Sequence, residues 1–100
     1  SRTDLLIATP MRLVHLLRRD EISLSQVGMM IMDEADKLLD LGFLEQTDEI
    51  MARCDVSNLR RALFSATLPE GVEELARTVL RNPIRVVIGT FGHFFPIRLL

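Results

Sequence analysis

No stretch of this chain of 100 residues stays apolar for the roughly 20 residues that a membrane-crossing helix needs, so no membrane partner is expected. The sequence also lacks a basic start followed by an apolar stretch and a small-residue cleavage site. No signal peptide is visible, and an intracellular location is expected. Cys54 stands alone, which excludes an internal disulfide framework and a zinc site built on several thiolates. It reads as a small buried or half-buried residue kept reduced. Neither charge sign dominates: twelve Lys/Arg against fourteen Asp/Glu leave a net charge of −2, which by itself names no nucleic-acid partner. What the chain does have is apolar content. At 48% hydrophobic residues it reads as globular, and its length holds one domain at most.

The charges are unevenly placed. Residues 1–19 carry four Arg and one acid, residues 20–55 ten acids and two bases, and residues 56–100 six Arg and three acids. A mid-chain acidic block between basic ends fits a solvated helix surface, and equally a divalent cation held between segments that meet phosphate.

Four short apolar runs read as strands: Asp4-Leu-Leu-Ile-Ala8, Val27-Gly-Met-Met-Ile-Met32, Leu59-Arg-Arg-Ala-Leu-Phe64 and Ile84-Arg-Val-Val-Ile88. The run 27–32 does not alternate, which predicts a strand covered on both faces, with its methionines as core filling. Between the runs lie three helical patterns. The first opens on Thr9 as N-cap and Pro10 at the first helical position, and closes on Arg18 and Arg19. The second runs from about Lys37 to Arg53 and is interrupted or bent at Gly42; the third opens on Pro69 and Glu70, runs to about Leu80 and is stopped by Asn82-Pro83. Strand and helix alternate throughout, which predicts an α/β fold of parallel βαβ units with right-handed crossovers.

In such sheets ligands bind at the carboxyl ends of the strands, and three strand ends here carry unusual polar sets. Asp33-Glu34-Ala35-Asp36 follows a buried strand, as suits a Mg²⁺–nucleotide site: one carboxylate anchors the cation through water while its neighbour handles a proton. The alternative is that these acids only complement a helix dipole, worth about 0.3–1 kcal/mol each. Thr9 and Pro10 begin a helix whose free amides form an anion site, and Arg12 one turn in adds a charge-assisted bond to a phosphate; alone, this is also an ordinary helix cap. Ser65-Ala66-Thr67 reads by itself as a pair of turn hydroxyls, and with no His nearby in sequence a serine nucleophile is not expected. His15 reads as a packed or surface imidazole, because no second ligand is suitably spaced.

Taken together and in this order, the three sets resemble the first RecA-like domain of a DEAD-box ATP-dependent RNA helicase. Asp33-Glu34-Ala35-Asp36 matches that family's name motif, Ser65-Ala66-Thr67 its Ser-Ala-Thr motif, and Thr9-Pro10-Met11-Arg12 its Thr-Pro-Gly-Arg motif. Leu41-Gly42-Phe43 looks like the Gly-Phe segment that follows the acidic motif. The resemblance implies ATP and Mg²⁺ as cofactors, with Asp33 positioning the metal and Glu34 activating the hydrolytic water. It implies that Asp36 bonds to the turn in which Ser65 and Thr67 couple hydrolysis to strand separation. It further implies that Thr9, Pro10 and Arg12 grip one RNA strand by its phosphates, and that helicase cofactor proteins are among the partners.

Two departures shape what is expected. Met11 stands where the family usually has Gly, and a bulky third residue there looks like a branch acting in small-subunit ribosome assembly. That points to rRNA or pre-rRNA as partner and to the nucleus or nucleolus. No Gly-x-x-x-x-Gly-Lys-Ser/Thr phosphate loop is present, nor is a second RecA-like domain. Residues 1–89 are therefore expected to form the C-terminal half of one RecA-like ATP-binding domain, unable to turn over ATP alone. Residues 90–100, with three Phe and His93, are expected to be an atypical tail or the start of an interdomain linker. The alternative function is a non-catalytic RNA- or partner-binding protein of the same fold.

Overall fold

A computed structural model describes residues 3–55, 57–80, 84–88 and 95–99, the last two segments as backbone only. Asn82-Pro83 and His93 lie outside the described residues.

Helix α1 (Pro10–Arg18) starts where the sequence places it. Thr9 is extended at φ −78° and ψ 157°, and its carbonyl accepts the Leu13 amide at 3.0 Å. The Thr9 hydroxyl makes no capping bond, so the helix start rests on the fixed φ of Pro10 instead of on a side-chain cap. The expected helix from Lys37 to Arg53 is two helices, α2 (Ala35–Asp40) and α3 (Leu44–Ala52). They part at Leu41-Gly42-Phe43, where Gly42 turns left-handed at φ 77°, a conformation glycine adopts without steric cost.

Helices α1 and α3 pack together and are fastened at two points. Arg18 donates from Nε and Nη2 to the two carboxylate oxygens of Glu49 at 2.9 and 2.7 Å, and Arg53 Nη1 donates to the Leu17 carbonyl at 3.2 Å. The two-pronged Arg18–Glu49 contact has the paired geometry that sets it above an ordinary surface pair, and the hydrogen bonds from Arg18 hold the Glu49 carboxyl below the usual range. Val14 and Leu17 of α1, with Leu24 and Leu59, are buried.

Strands β1 (Met29–Met32) and β2 (Arg60–Phe64) pair in parallel, Met32 standing opposite Leu63. Helix α4 (Glu70–Val79) presents Val72, Leu75, Ala76 and Val79 at i, i+3, i+4 and i+7, the spacing that faces one side of a helix toward a core. That face packs with Met32, Ala35 and Leu63, and Met30, Leu38 and Met51 close around it. Full burial of a side chain such as Leu63 is worth about 1.5–3 kcal/mol. Arg61 is buried on β2 and donates to the Val79 carbonyl at 2.8 Å, placing its charge at the negative end of α4.

Three expectations are corrected. Residues 4–8 form no strand: Leu5 and Ile7 are 76% and 86% exposed, because no described strand lies beside them to supply a hydrogen-bond ladder. Strand β1 is covered on one face only, by the side on which Met30 and Met32 meet α4, while Met29 and Ile31 remain exposed. The sheet is also mixed. Its order is β1-β2-β4-β3, and β4 (Phe95–Leu99) runs antiparallel to both β2 and β3 (Ile84–Ile88). Residues 89–94 are too few for the crossover of about a dozen residues that parallel strands need, so the chain must return in the opposite direction. The α/β character and the parallel β1–β2 pair stand as expected.

Candidate active site

The carboxyl ends of β1 and β2 lie side by side, and the acidic and hydroxyl sets sit on them. Met32 passes directly into Asp33 and Glu34, and α2 begins at Ala35. Phe64 passes into Ser65, which is buried. Because the strands are parallel and neighbouring, their ends bring residues 29 to 31 apart in sequence within hydrogen-bond reach.

A closed set of bonds results. Ser65 Oγ accepts the Asp36 amide at 3.1 Å and donates to the Thr67 carbonyl at 2.8 Å. Thr67 Oγ1 donates to Asp36 Oδ2 at 2.9 Å, and the Lys37 amide donates to Asp36 Oδ1 at 3.0 Å. Burial pushes the Asp36 carboxyl upward, but the bonds from Thr67, Lys37 and Ser65 together outweigh it and leave the group below its usual value. A depressed folded value means stability that is present above the unfolded pKa of about 3.9 and lost as pH falls through the folded one. Asp36→Asn is therefore expected to destabilise the protein by about 1 kcal/mol at pH 7. The difference should shrink as pH falls through the depressed folded-state value, where Asp36 takes up its proton and both forms become uncharged at this position. Denaturant unfolding of the two proteins across that range checks it.

Glu34 is the residue on which the strand turns into the helix, and it does so left-handed, at φ 53° and ψ 50°. A side chain pays about 1–2 kcal/mol there, and such strain concentrates at functional turns. The Glu34 amide donates to Asp33 Oδ1 at 2.9 Å. Glu34→Gly is expected to raise stability by about 0.5–1 kcal/mol, the strain relieved less the chain entropy of glycine. Glu34→Ala, which keeps the Cβ, should bring no such gain. Thermal unfolding of the two variants separates backbone strain from loss of the carboxylate.

Lys37, which the motif reading did not single out, places Nζ 3.3 Å from Glu34 Oε2. The signal was available as a Glu–Lys pair at i, i+3 across the helix start. Both side chains are well exposed, so the pair is weak enough to open to a substrate. Thr9, Pro10 and Arg12 stand apart from this set, at the start of α1, where Thr9 and Arg12 are exposed. Among the described residues no hydrogen bond or ion pair engages the Arg12 guanidinium. Cys54 is half-buried, with its thiol pushed up by burial and its Sγ directed at the Ile50 carbonyl at 3.5 Å, as befits an inert residue.

Residues 1–75 match the family model of the DEAD/DEAH box helicases. The chain belongs to the DEAD/DEAH box helicase family. This DEAD-box chain is 47% identical over 89 residues to the ATP-dependent RNA helicase ROK1 of Scheffersomyces stipitis, covering 89% of the chain and 16% of that protein. The ROK1 protein of Lodderomyces elongisporus matches at the same identity and coverage. The ATP-dependent RNA helicase CHR1 of Candida albicans is 44% identical over 89 residues, with 89% of the chain and 15% of that protein covered. The chain thus spans about one sixth of the length of the curated relatives it matches.

Proposed function

We propose that this DEAD-box chain is the part of an ATP-dependent RNA helicase that joins hydrolysis to the grip on RNA. The observation that carries the reading is the bonding of Asp36 to Ser65 and Thr67, which ties the end of β1 to the end of β2. A change at the acids is thereby transmitted to the neighbouring strand end.

Each residue has a stated task in this reading. Among the described residues no group of three or more His, Cys, Asp or Glu could cage a metal ion. Asp33 would hold Mg²⁺ through water, and the ion would supply charge stabilisation to the phosphates. Asp33 Oδ1 is taken by the Glu34 amide, which fixes the carboxylate and leaves Oδ2 for that task. Bound Mg²⁺–ATP supplies the γ-phosphoryl group that water attacks. Glu34 orients that water and takes its proton, once its carboxylate leaves Lys37. Thr9, Pro10 and Arg12 hold RNA phosphates at the open amide end of α1 without reading bases.

The hundred residues contain no phosphate loop, so ATP turnover is assigned to a longer protein, with residues 1–89 as part of its RecA-like domain. Residues 95–99, expected to belong to an atypical tail or linker start, instead form the inner strand β4 between β2 and β3. ATP turnover by residues 1–100 alone, abolished in Glu34→Gln, would overturn that assignment. The bulky Met11 within Thr-Pro-x-Arg supports placing the parent in ribosome assembly, on pre-rRNA in the nucleolus. Crosslinking of RNA to the protein in cells would test it, with recovery of other RNA classes alone counting against it.

The helicase reading is tested on the full-length protein by ATP turnover with and without single-stranded RNA. Stimulation by RNA is expected, and its absence would sink the reading. Arg12→Ala is expected to weaken RNA binding by about 1.5–3 kcal/mol for the lost charge-assisted bond and to lower the salt slope by about 0.7, the single-strand value for one phosphate contact. ATP binding should not change.

A further inference from the structure

Beyond the nucleotide and RNA residues, the described structure carries a groove of about 230 Å³ between α3 and α4. Its lining includes the apolar Leu39, Leu44 and Leu75 and the acids Asp48 and Glu74, with no basic residue. Leu44 and Asp48 lie one turn apart on α3, and Gly71 and Leu75 one turn apart on α4. Gly71 leaves room in it: a Cβ there would stand 3.1 Å from Leu39 Cδ1 and crowd that side chain. Leu44 is 42% exposed, an uncovered apolar side chain at the groove mouth. A sealed apolar cavity of about 150 Å³ accepts benzene, so this volume is enough for a large apolar side chain.

Charge decides what class of molecule fits. Helices α2, α3 and α4 carry two, three and three carboxylates against Lys37 and Arg77, whereas α1 carries two arginines and no acid. The two charged residues that line the groove, Asp48 and Glu74, are both acids, so it disfavours a phosphate backbone and favours cations. We propose that this groove docks a basic amphipathic helix of a partner protein, with an apolar anchor on Leu39, Leu44 and Leu75 and Lys or Arg residues against Asp48 and Glu74. Recognition of this kind lays an apolar helix face into a groove and sets its register by the flanking charges. The site uses none of the residues assigned to ATP or RNA, so it stands or falls separately from the helicase reading.

The test uses the full-length protein and a labelled synthetic helix of about five turns, with leucines at i, i+3, i+4 and i+7 and lysines elsewhere. A peptide of the same composition in scrambled order serves as control. Saturable binding of the patterned peptide is expected, with the scrambled one at least about tenfold weaker, a difference of about 1.4 kcal/mol. Asp48→Lys with Glu74→Lys should weaken the patterned peptide by at least about tenfold at low salt, and Leu44→Ser by about threefold. RNA-stimulated ATP turnover should be unchanged in both variants. Leu44→Ser alters one exposed side chain and keeps the test open if the double reversal fails to fold. Equal binding of the scrambled peptide, or indifference to both variants, would overturn the proposal. So would displacement of the peptide by RNA, or a dimer abolished by the reversal, which would make RNA or a second copy the occupant.

Discussion

Replacing Glu34 by Gln in the full-length protein is expected to cut RNA-stimulated ATP turnover by about 100-fold or more. The basis is that general-base assistance contributes about 10²–10⁴-fold, and an amide cannot accept the proton of the attacking water. The substitution keeps the size of the side chain and leaves the left-handed backbone at φ 53° as strained as before, so folding should not change. ATP and RNA affinities should stay within about twofold, because Asp33 and Arg12 remain in place. Steady-state turnover with separate binding titrations resolves the two effects. A fall of less than about threefold would remove Glu34 from the chemistry. A proportional loss of ATP affinity would instead assign it to binding.

The second large effect is expected at the bonds between strand ends. Thr67→Ala removes the donor to Asp36 Oδ2, and Ser65→Ala removes both the acceptor of the Asp36 amide and the donor to the Thr67 carbonyl. Neither hydroxyl is assigned a contact with the reacting phosphate. ATP turnover in the doubly substituted full-length protein should therefore stay within about threefold, while duplex unwound per ATP falls by at least about tenfold, near 1.4 kcal/mol of lost coupling. Adding Asp36→Asn should cost little more, because residues bonded to one another are not additive. Unwinding and turnover measured on the same preparation provide the test, and a parallel loss of both would place the hydroxyls in the chemistry instead.

That the acidic and hydroxyl sets lie side by side could be read from residue order, since neighbouring strand ends converge and both sets follow apolar runs. The bonding of Asp36 to Ser65 and Thr67 was implied by the resemblance alone, and the Thr9 set does not join them. The helix starts at Pro10 and Glu70 and the break at Gly42 were visible for the same local reason: proline and glycine restrict or release φ whatever surrounds them. Where the reading failed, the missing information was non-local. Residues 4–8 have the composition of a strand but no described neighbour to pair with, and the exposure of Met29 and Ile31 depends on what covers the sheet. The Arg18–Glu49 clasp spans 31 residues and could not be told from two unrelated surface charges. The left-handed turn at Glu34 was hidden because glutamate gives no sign of it; the resemblance supplied a chemical task for that residue, and its backbone strain came from the structure.

Strand β1 ends the described sheet order, so its outer row of amides and carbonyls has no ladder there, and the four residues on it are Met-Met-Ile-Met. Nothing among them guards against self-association: there is neither a lysine nor a proline in the strand. A solution of this polypeptide should accordingly stick to itself through that rim as its concentration rises. Turbidity would then follow protein concentration far more steeply than it follows salt.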